Sequence, residues 1–273
     1  MGKRQRAIKS SPLDHAIETR DLAVVDMVAA AIRHKDVLLA FQPIVQAKDP
    51  TKVAFFEGLI RVLDETGRII PAKDFMATLE DTDLGRQLDC LALEQGLKTL
   101  TQAPDIRISI NMSARSIGYG RYTRTLEQAL SERPEVARRL ILEISEPSAL
   151  QVPEVVMDFM DNCQGRGIAF ALDDYGAKLT SFRHFKEFFF DIVKVDRQFC
   201  QKISTDYENQ VIAGAISHIA RQFGIFTVAT HVTSMDDANT LASLGFDCLQ
   251  GFLYGAPTVN PPWDKNENSK KVA

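Results

Sequence analysis

The sequence predicts an α/β fold, a single chain closed into a (β/α)8 TIM-like barrel. Three observations carry that reading. About eight short apolar runs recur along the 273 residues, most of them followed by a stretch of helical periodicity. Several of these runs are continuous rather than alternating, as strands buried on both faces are. The length is also close to the roughly 250 residues in which eight such units close. A doubly wound open sheet is the competing architecture, but no GxGxxG follows any strand.

Taken in order, residues 1–11 carry Lys3, Arg4, Arg6 and Lys9 and read as a disordered basic tail. Residues 12–35 space Leu13, Ile17, Leu22, Val25, Val28 and Ile32 three to five apart and read as one or two amphipathic helices, an N-terminal extension. Strands follow at 38–45 and 53–62, separated by a Lys48-Asp49-Pro50 turn. Helices are expected at 71–79 and 84–100, then a third strand at 106–112, a helix at 122–130 and a fourth strand at 140–144. A helix over 152–164 is stopped by Gly165-Arg166-Gly167. Apolar runs at 168–172, 191–195, 226–229 and 248–254 supply the remaining strands, with helices at 207–223 and 236–244 between them. The barrel domain is expected over 36–262, with a flexible tail over 263–273.

Composition excludes several classes of function. With 45% hydrophobic and 25% charged residues the chain matches a soluble globular domain. A net charge of -4 gives no electrostatic reason to expect nucleic-acid binding. Cys90, Cys163, Cys200 and Cys248 lack CxxC spacing and fit buried thiols in a reducing cytosol. No apolar run approaches the roughly 18 residues of a membrane span, and no signal-peptide core is present. A cytoplasmic protein with no membrane partner is expected.

The chemistry gathers where the strands end. One stretch, 168–196, holds two apolar runs that finish in Asp173-Asp174 and in Lys194 with Asp196. Carboxyl ends of parallel strands are where barrels bind ligands and metals. The other strands add Gln42, Glu57, Arg61, Asn111, Glu143 and Gln250, with Glu146 just beyond the fourth. Singly, each has a bland role: helix caps for Asp173 and Asp174, a turn for Asn111, a structural bridge for Lys194 and Asp196. Together they make an acidic mouth that stability alone does not require. Glu57, Asn111, Glu143 and Asp173 form an oxygen donor set for a hard cation such as magnesium, manganese or calcium. With no His or Cys among them, zinc is disfavoured, and Arg61 and Lys194 nearby suit a phosphoester.

These residues sit in motifs. Phe41 to Val45 reads FQPIV, Glu57 to Arg61 reads EGLIR, Ile110 to Ala114 reads INMSA and Leu142 to Glu146 reads LEISE. Further on come LDDYG at Leu172 to Gly176, VKVDR at Val193 to Arg197 and QGFLYGAP at Gln250 to Pro257. In this order the sequence resembles the EAL domain, the cyclic di-GMP phosphodiesterase module, over about residues 36–258, with Gly58 where the family name has Ala. The resemblance implies an antiparallel strand near the start of the barrel. It also implies that Glu57, Asn111, Glu143 and Asp173 bind a first Mg2+ or Mn2+, with Ca2+ an inhibitory substitute, and that Asp173 and Asp174 bridge to a second. It gives Lys194, with Glu57 and Asp174, a catalytic part through the attacking water. Gln42, Arg61, Asp196 and Gln250 would contact the ligand, and Glu146 would anchor the loop after the fifth strand. The reaction would open one phosphodiester of cyclic di-GMP to pGpG.

Two departures from the pattern qualify it. Where the family has AEGVET, this chain reads Ala229-Thr230-His231-Val232-Thr233-Ser234, so Thr230 and Thr233 replace both glutamates. Thr230 can neither balance a second divalent charge nor act as a base near neutral pH. His231 is expected on the opposite face, one residue along the strand. In the DDFGTGYSSL loop, Lys178 replaces the second Gly, a costly exchange if that position needs positive φ. At most one well-formed metal site is therefore expected. The favoured reading is a degenerate EAL domain that binds cyclic di-GMP as a receptor. The alternatives are a residual phosphodiesterase and a nucleotide-independent protein-interaction module. The cluster Phe185, Phe188, Phe189 and Phe190 reads as barrel packing near the sixth helix and strand, with an interaction surface the competing reading. It occupies a place where members of the family pair, so a homodimer is expected, and a protein partner is the other association considered.

Overall fold

The computed structural model describes residues 12–178 and 180–263. A single helix, α1 (Pro12–His34), leads into β1 (Val37–Gln46), β2 (Val53–Leu63) and β3 (Ile69–Pro71). Then come α2 (Met76–Leu79), α3 (Asp83–Gln102), β4 (Ile108–Asn111), α4 (Gly120–Glu132) and β5 (Leu140–Ser145). The chain continues through α5 (Glu146–Ala149), α6 (Pro153–Gln164), β6 (Ala169–Tyr175), α7 (His184–Glu187) and β7 (Ile192–Val195). It finishes with α8 (Arg197–Cys200), α9 (Tyr207–Gln222), β8 (Phe226–Ala229), α10 (Met235–Ser243) and β9 (Cys248–Gln250). All eight predicted strands are present, as a closed barrel.

Closure depends on β1. From β2 through β4 to β9 the neighbours are parallel, whereas β1 runs antiparallel to both β2 and β9 and joins them. A short turn suffices between β1 and β2 because antiparallel neighbours need no crossover. The parallel strands need helices to bring the chain back, and local chemistry starts those helices. Thr82, Ser145, Asp206 and Ser234 each accept a hydrogen bond from a backbone N–H in the first turn of α3, α5, α9 and α10.

The two-residue side-chain period sorts the barrel interior into layers. Ile44, Phe55, Ile141, Ala171, Ile192, Val228 and Cys248 pack together as an apolar floor. Two residues along each of these strands, towards the mouth, stand Gln42, Glu57, Glu143, Asp173, Lys194, Thr230 and Gln250. Asn111 at the end of β4 completes this polar layer. A separate core cluster joins α1 to the barrel through Val28, Ala31, Val37, Val62, Phe75, Leu79 and Leu88.

Three predicted elements differ from the structure. Residues 71–79 do not form one helix: Pro71 is extended and ends β3, which pairs with β2, and a 3-10 turn at Ala72–Asp74 precedes α2. The last strand stops at Gln250 because Gly251 lies against the Val232 backbone, where a Cβ would come within 1.9 Å of the Val232 carbonyl oxygen. Trp263, assigned to a flexible tail, packs edge-on against Phe41 and Phe56 at 5.1 and 4.5 Å between centroids. The basic tail at 1–11 and the rest of the C-terminal tail lie outside the described residues. Among the described residues no helix is long and apolar enough to cross a membrane.

Trp263 thus closes an aromatic contact on the β1–β2 hairpin. Trp263→Ala is expected to cost about 2–3 kcal/mol, read as a lower urea midpoint at unchanged slope. An unchanged midpoint would show that the ring adds nothing to the fold.

Candidate active site

The polar layer is organised by one ammonium group. Lys194 Nζ lies 2.6 Å from Glu143 Oε2, 3.0 Å from Glu57 Oε2 and 3.2 Å from Asp173 Oδ1. Lys194 is 2% exposed and Glu143 fully buried, so these charges meet out of water. Glu57 also accepts from Asn111 Nδ2 at 2.9 Å and from Gln250 Nε2 at 2.6 Å. Gln250 Nε2 is within 3.2 Å of Gln42 Oε1, and Gln42 Nε2 donates to the Gly255 carbonyl at 3.0 Å. Seven of the predicted residues therefore form one connected network: Gln42, Gln250 and Asn111 meet at Glu57, and Lys194 joins Glu57 to Glu143 and Asp173.

Charge is incompletely balanced within it. Three carboxylates face one ammonium, and the protonation equilibria show the strain. Burial, and then the charge on Glu57, push Glu143 up to about 8. Burial also raises Asp173. Burial opposes ionisation of Glu57 too, but Lys194, Gln250 and Asn111 hold it below the usual carboxylate range. Burial works against the charge on Lys194, yet Asp173, Glu143 and Glu57 keep its pKa well above the ordinary lysine value. Such a site suits a hard cation. Oxygens of Glu57, Glu143 and Asp173 lie within 4.8 Å of one another, and Glu143 Oε1 is buried without a hydrogen-bond partner. Asn111, donating to Glu57 through nitrogen, keeps its carbonyl oxygen for another partner.

The remaining predicted residues are distributed around this centre. Asp174 does not join the three-carboxylate group: its backbone is left-handed, with φ 53°, at an irregularity in the β6–β7 pairing, and its side chain is exposed. The charge on Asp173 raises it to about 6. Arg61 stands four residues from Glu57 on the same face of β2, donates to the Ile60 carbonyl at 2.9 Å and has Glu57 and Asp74 as its acidic neighbours. Asp196 caps α8, accepting from Gln198 N at 3.0 Å. The Lys194–Asp196 bridge considered from sequence is replaced by the bridges of Lys194 to the triad.

Glu146 ties down the loop after β6. It accepts from Gly176 N at 3.3 Å and from the Thr180 hydroxyl, and lies 3.0 Å from His184 Nδ1. The strain expected at Lys178 is absent, because positive φ in this loop falls on Asp174 and Gly176 instead. Two further residues emerge that sequence reasoning passed over. Asp89, 6% exposed on α3, accepts from Ser113 N at 2.9 Å and Ser116 Oγ at 2.6 Å, fixing the turn that follows Asn111. Burial raises it to about 7. Ser148 accepts from Ala114 N at 2.9 Å and links that turn to α5. The available signal was an acid inside the apolar helical run LDCLAL.

Strand eight delivers the largest departure. Thr230 is buried, and its hydroxyl donates to the Val195 carbonyl at 2.8 Å. His231 is not turned to the outer face as the strand period requires. The strand has ended at Ala229, and a left-handed backbone, φ 59°, brings the imidazole Nδ1 to 3.2 Å from Thr230 Oγ1. Thr230 has spent its proton on Val195, so His231 Nδ1–H is the donor in that contact. Desolvation and then Arg197 lower its pKa, so the imidazole is neutral near pH 7. Thr233 is exposed, apart from the layer.

Comparison with known proteins bears on the family and the fold. A family model described as the EAL domain matches residues 25–257. The chain is 26% identical over 240 residues to the cyclic di-GMP phosphodiesterase PdeF of Escherichia coli, covering 86% of this chain and 32% of that one. It thus spans about a third of that relative's length. Among solved structures, the MucR phosphodiesterase in complex with c-di-GMP superposes with a TM-score of 0.75 at 24% identity, covering 86% of this chain and 97% of that one. The FimX EAL domain of Xanthomonas citri with c-diGMP gives 0.79 at 21% identity, covering 91% and 99%. At these identities the superpositions speak to the fold.

Removing the ammonium would leave three buried acids uncompensated. Lys194→Met is expected to destabilise the metal-free protein by about 3–5 kcal/mol, and millimolar Mg2+ or Mn2+ to recover part of the loss in a thermal melt. A melt indifferent to metal would remove the cation site from the account. Glu143, Asp89 and Asp174 bind their protons more tightly folded than unfolded, with folded values of about 8, 7 and 6. Stability in EDTA should therefore fall as pH rises from about 4 to 8. Glu57 and Lys194, shifted the other way from their class, titrate outside the range from pH 5 to 8 and add no slope there. Denaturant midpoints at pH 6 and 8 check this, and Mg2+ should flatten the fall. A midpoint that rises over that interval would contradict the assignment.

Proposed function

The chain belongs to the EAL domain family, and from that premise we propose that its barrel mouth binds cyclic di-GMP as a receptor, with hydrolysis lost or weakened. The observation that carries this reading is the Thr230 hydroxyl committed to the Val195 carbonyl at 2.8 Å. A neutral side chain whose only proton is engaged in the wall cannot draw a proton from water near neutral pH. Nor does it add the negative charge that a second divalent cation needs.

The rest of the mouth supports binding. Arg61, which forms no ion pair among the described residues, would meet a phosphate, and Gln42, Gln250 and Asp196 would offer amide and carboxylate groups to the ligand. Glu57, Asn111, Glu143 and Asp173 would hold one Mg2+ or Mn2+, with Ca2+ as a substitute that does not support turnover. Such an ion, when bound, polarises a phosphate oxygen and acidifies a bound water. Lys194 holds the three carboxyl groups together around that position, and a bound cation would favour their ionised forms. Asp174, exposed and outside the triad, would touch ligand instead of the first cation. Relatives support the ligand class: PdeF is named as a cyclic di-GMP phosphodiesterase, and MucR and the Xanthomonas FimX domain were solved with the dinucleotide.

A second reading, a metal-dependent phosphodiesterase releasing pGpG, is favoured by the triad and the unpartnered Glu143 Oε1. One titration separates the two. Cyclic di-GMP is added to the full chain in Ca2+, then in Mg2+ or Mn2+, with pGpG followed by chromatography. The receptor reading expects saturable binding in each ion, weakened about 10-fold or more by Arg61→Ala, and turnover that Thr230→Glu raises by about 10²-fold. Wild-type turnover that Thr230→Glu leaves unchanged and Glu57→Ala abolishes would establish the phosphodiesterase instead. No binding in any ion would leave a protein-interaction module.

A further inference from the structure

We propose that the chain carries a second ligand site, away from the barrel mouth, for a small phosphate ester with an apolar body. The site is the cleft between the end of α1, the start of β1 and the outer faces of α3 and α4. Its volume is about 480 Å³, within the range of small-molecule pockets. Four cations line it, Arg33, Lys35, Lys98 and Arg121, and Glu94 is the one acid among the lining residues.

Glu94 is already engaged. Arg121 Nη2 donates to its two carboxylate oxygens at 3.0 and 3.2 Å, and Arg121 Nε reaches Oε1 at 3.2 Å. That leaves Arg33, Lys35 and Lys98 converging on one cleft from two elements, in a chain whose net charge is -4. None of the three takes part in an ion pair among the described residues. Compensation of the α1 dipole accounts for Arg33 near the helix end, but not for Lys98, which belongs to α3.

Lys35 supplies an independent sign. It follows the last residue of α1 with φ 63°, the left-handed conformation that closes a helix and favours Gly. Asp36 N donates back to Ala31 O at 2.9 Å, the reverse bond of that closure. A side chain is disfavoured in that conformation, and the one present places a cation at the cleft edge.

The apolar part of the ligand follows from the lining. Ile32, Val37 and Leu91 share the cleft with the cations. A bare anion would leave that surface in water, whereas an ester with an aromatic or aliphatic body covers it. The cleft also touches the frame of the mouth: Gln95 donates to Val37 O at 2.7 Å, and Val37 pairs with Val62 on β2, the strand of Glu57 and Arg61.

Phenyl phosphate titrated into the full chain by calorimetry, with inorganic phosphate in parallel, tests the site independently of cyclic di-GMP. The expected result is saturable binding at least about 10-fold tighter for phenyl phosphate than for phosphate. Arg33→Glu with Lys98→Glu should abolish it, both positions being exposed and the fold checked by circular dichroism. Lys98→Gln alone should weaken it several-fold. Arg61→Ala, at the mouth, should leave it intact, so failure here and failure of cyclic di-GMP binding are separate results. Equal affinity for the two probes, binding indifferent to the double charge reversal, or binding lost in Arg61→Ala would each overturn the proposal.

Discussion

Everything at the mouth depends on the contact of Lys194 with three carboxylates. A barrel interior is too small to hold water around four charges, so they must settle one another. The layer below is apolar and tightly packed, from Ile44 and Phe55 round to Cys248, apart from Ser109 on β4, whose buried hydroxyl has no hydrogen-bond partner. Charge is therefore confined to a single layer, and every side chain in that layer is constrained by its neighbours. Glu57 illustrates this, with Asn111, Gln250 and Lys194 all donating to it.

Holding that layer in register is a task for the loops behind it. Asp89 fixes the turn after Asn111 from α3, and Ser148 joins the same turn to α5. Two residues before Ser148, Glu146 gathers Gly176, Thr180 and His184 from the loop after β6. The polar layer is thus backed by a continuous chain of hydrogen bonds over three successive strand ends. His184 brings an ionisable ring into that chain, in contact with a buried acid.

The strands were legible because seven of them carry continuous or near-continuous apolar runs, and the inward positions followed from the period of two. The candidate residues were legible as types that a packed floor cannot use. What escaped were features that depend on where a strand stops. Residues 71–79 have helical composition, but Ile69 and Ile70 find a free edge on β2 and Pro71 stays extended. His231 was assigned to the outer face by counting, and the count fails once β8 ends at Ala229 and the backbone turns left-handed. Lys178 was expected to carry strain that the loop places on Asp174 instead. The partners of Lys194 were invisible as well: sequence offered Asp196 two residues away, whereas the acids it meets come from three other strands.

The same layer explains why Thr230 matters more than one lost carboxylate suggests. With all three acids ionised, Glu57, Glu143 and Asp173 against Lys194 leave a surplus of two negative charges, which one divalent cation balances; without it, protonation of Glu143 relieves part of the surplus. A second divalent cation would need two more, and the remaining members of the layer, Gln42, Asn111, Thr230 and Gln250, are all neutral. Asp174 and Asp196 stand outside the layer, where water screens them and Asp174 is already raised to about 6 by its neighbour. An acid at position 230 would sit inside, next to Lys194 on the adjacent strand, where its charge counts in full. With threonine there, the electrostatics of the mouth favour one cation and a bound anionic ligand over a two-metal hydrolytic centre.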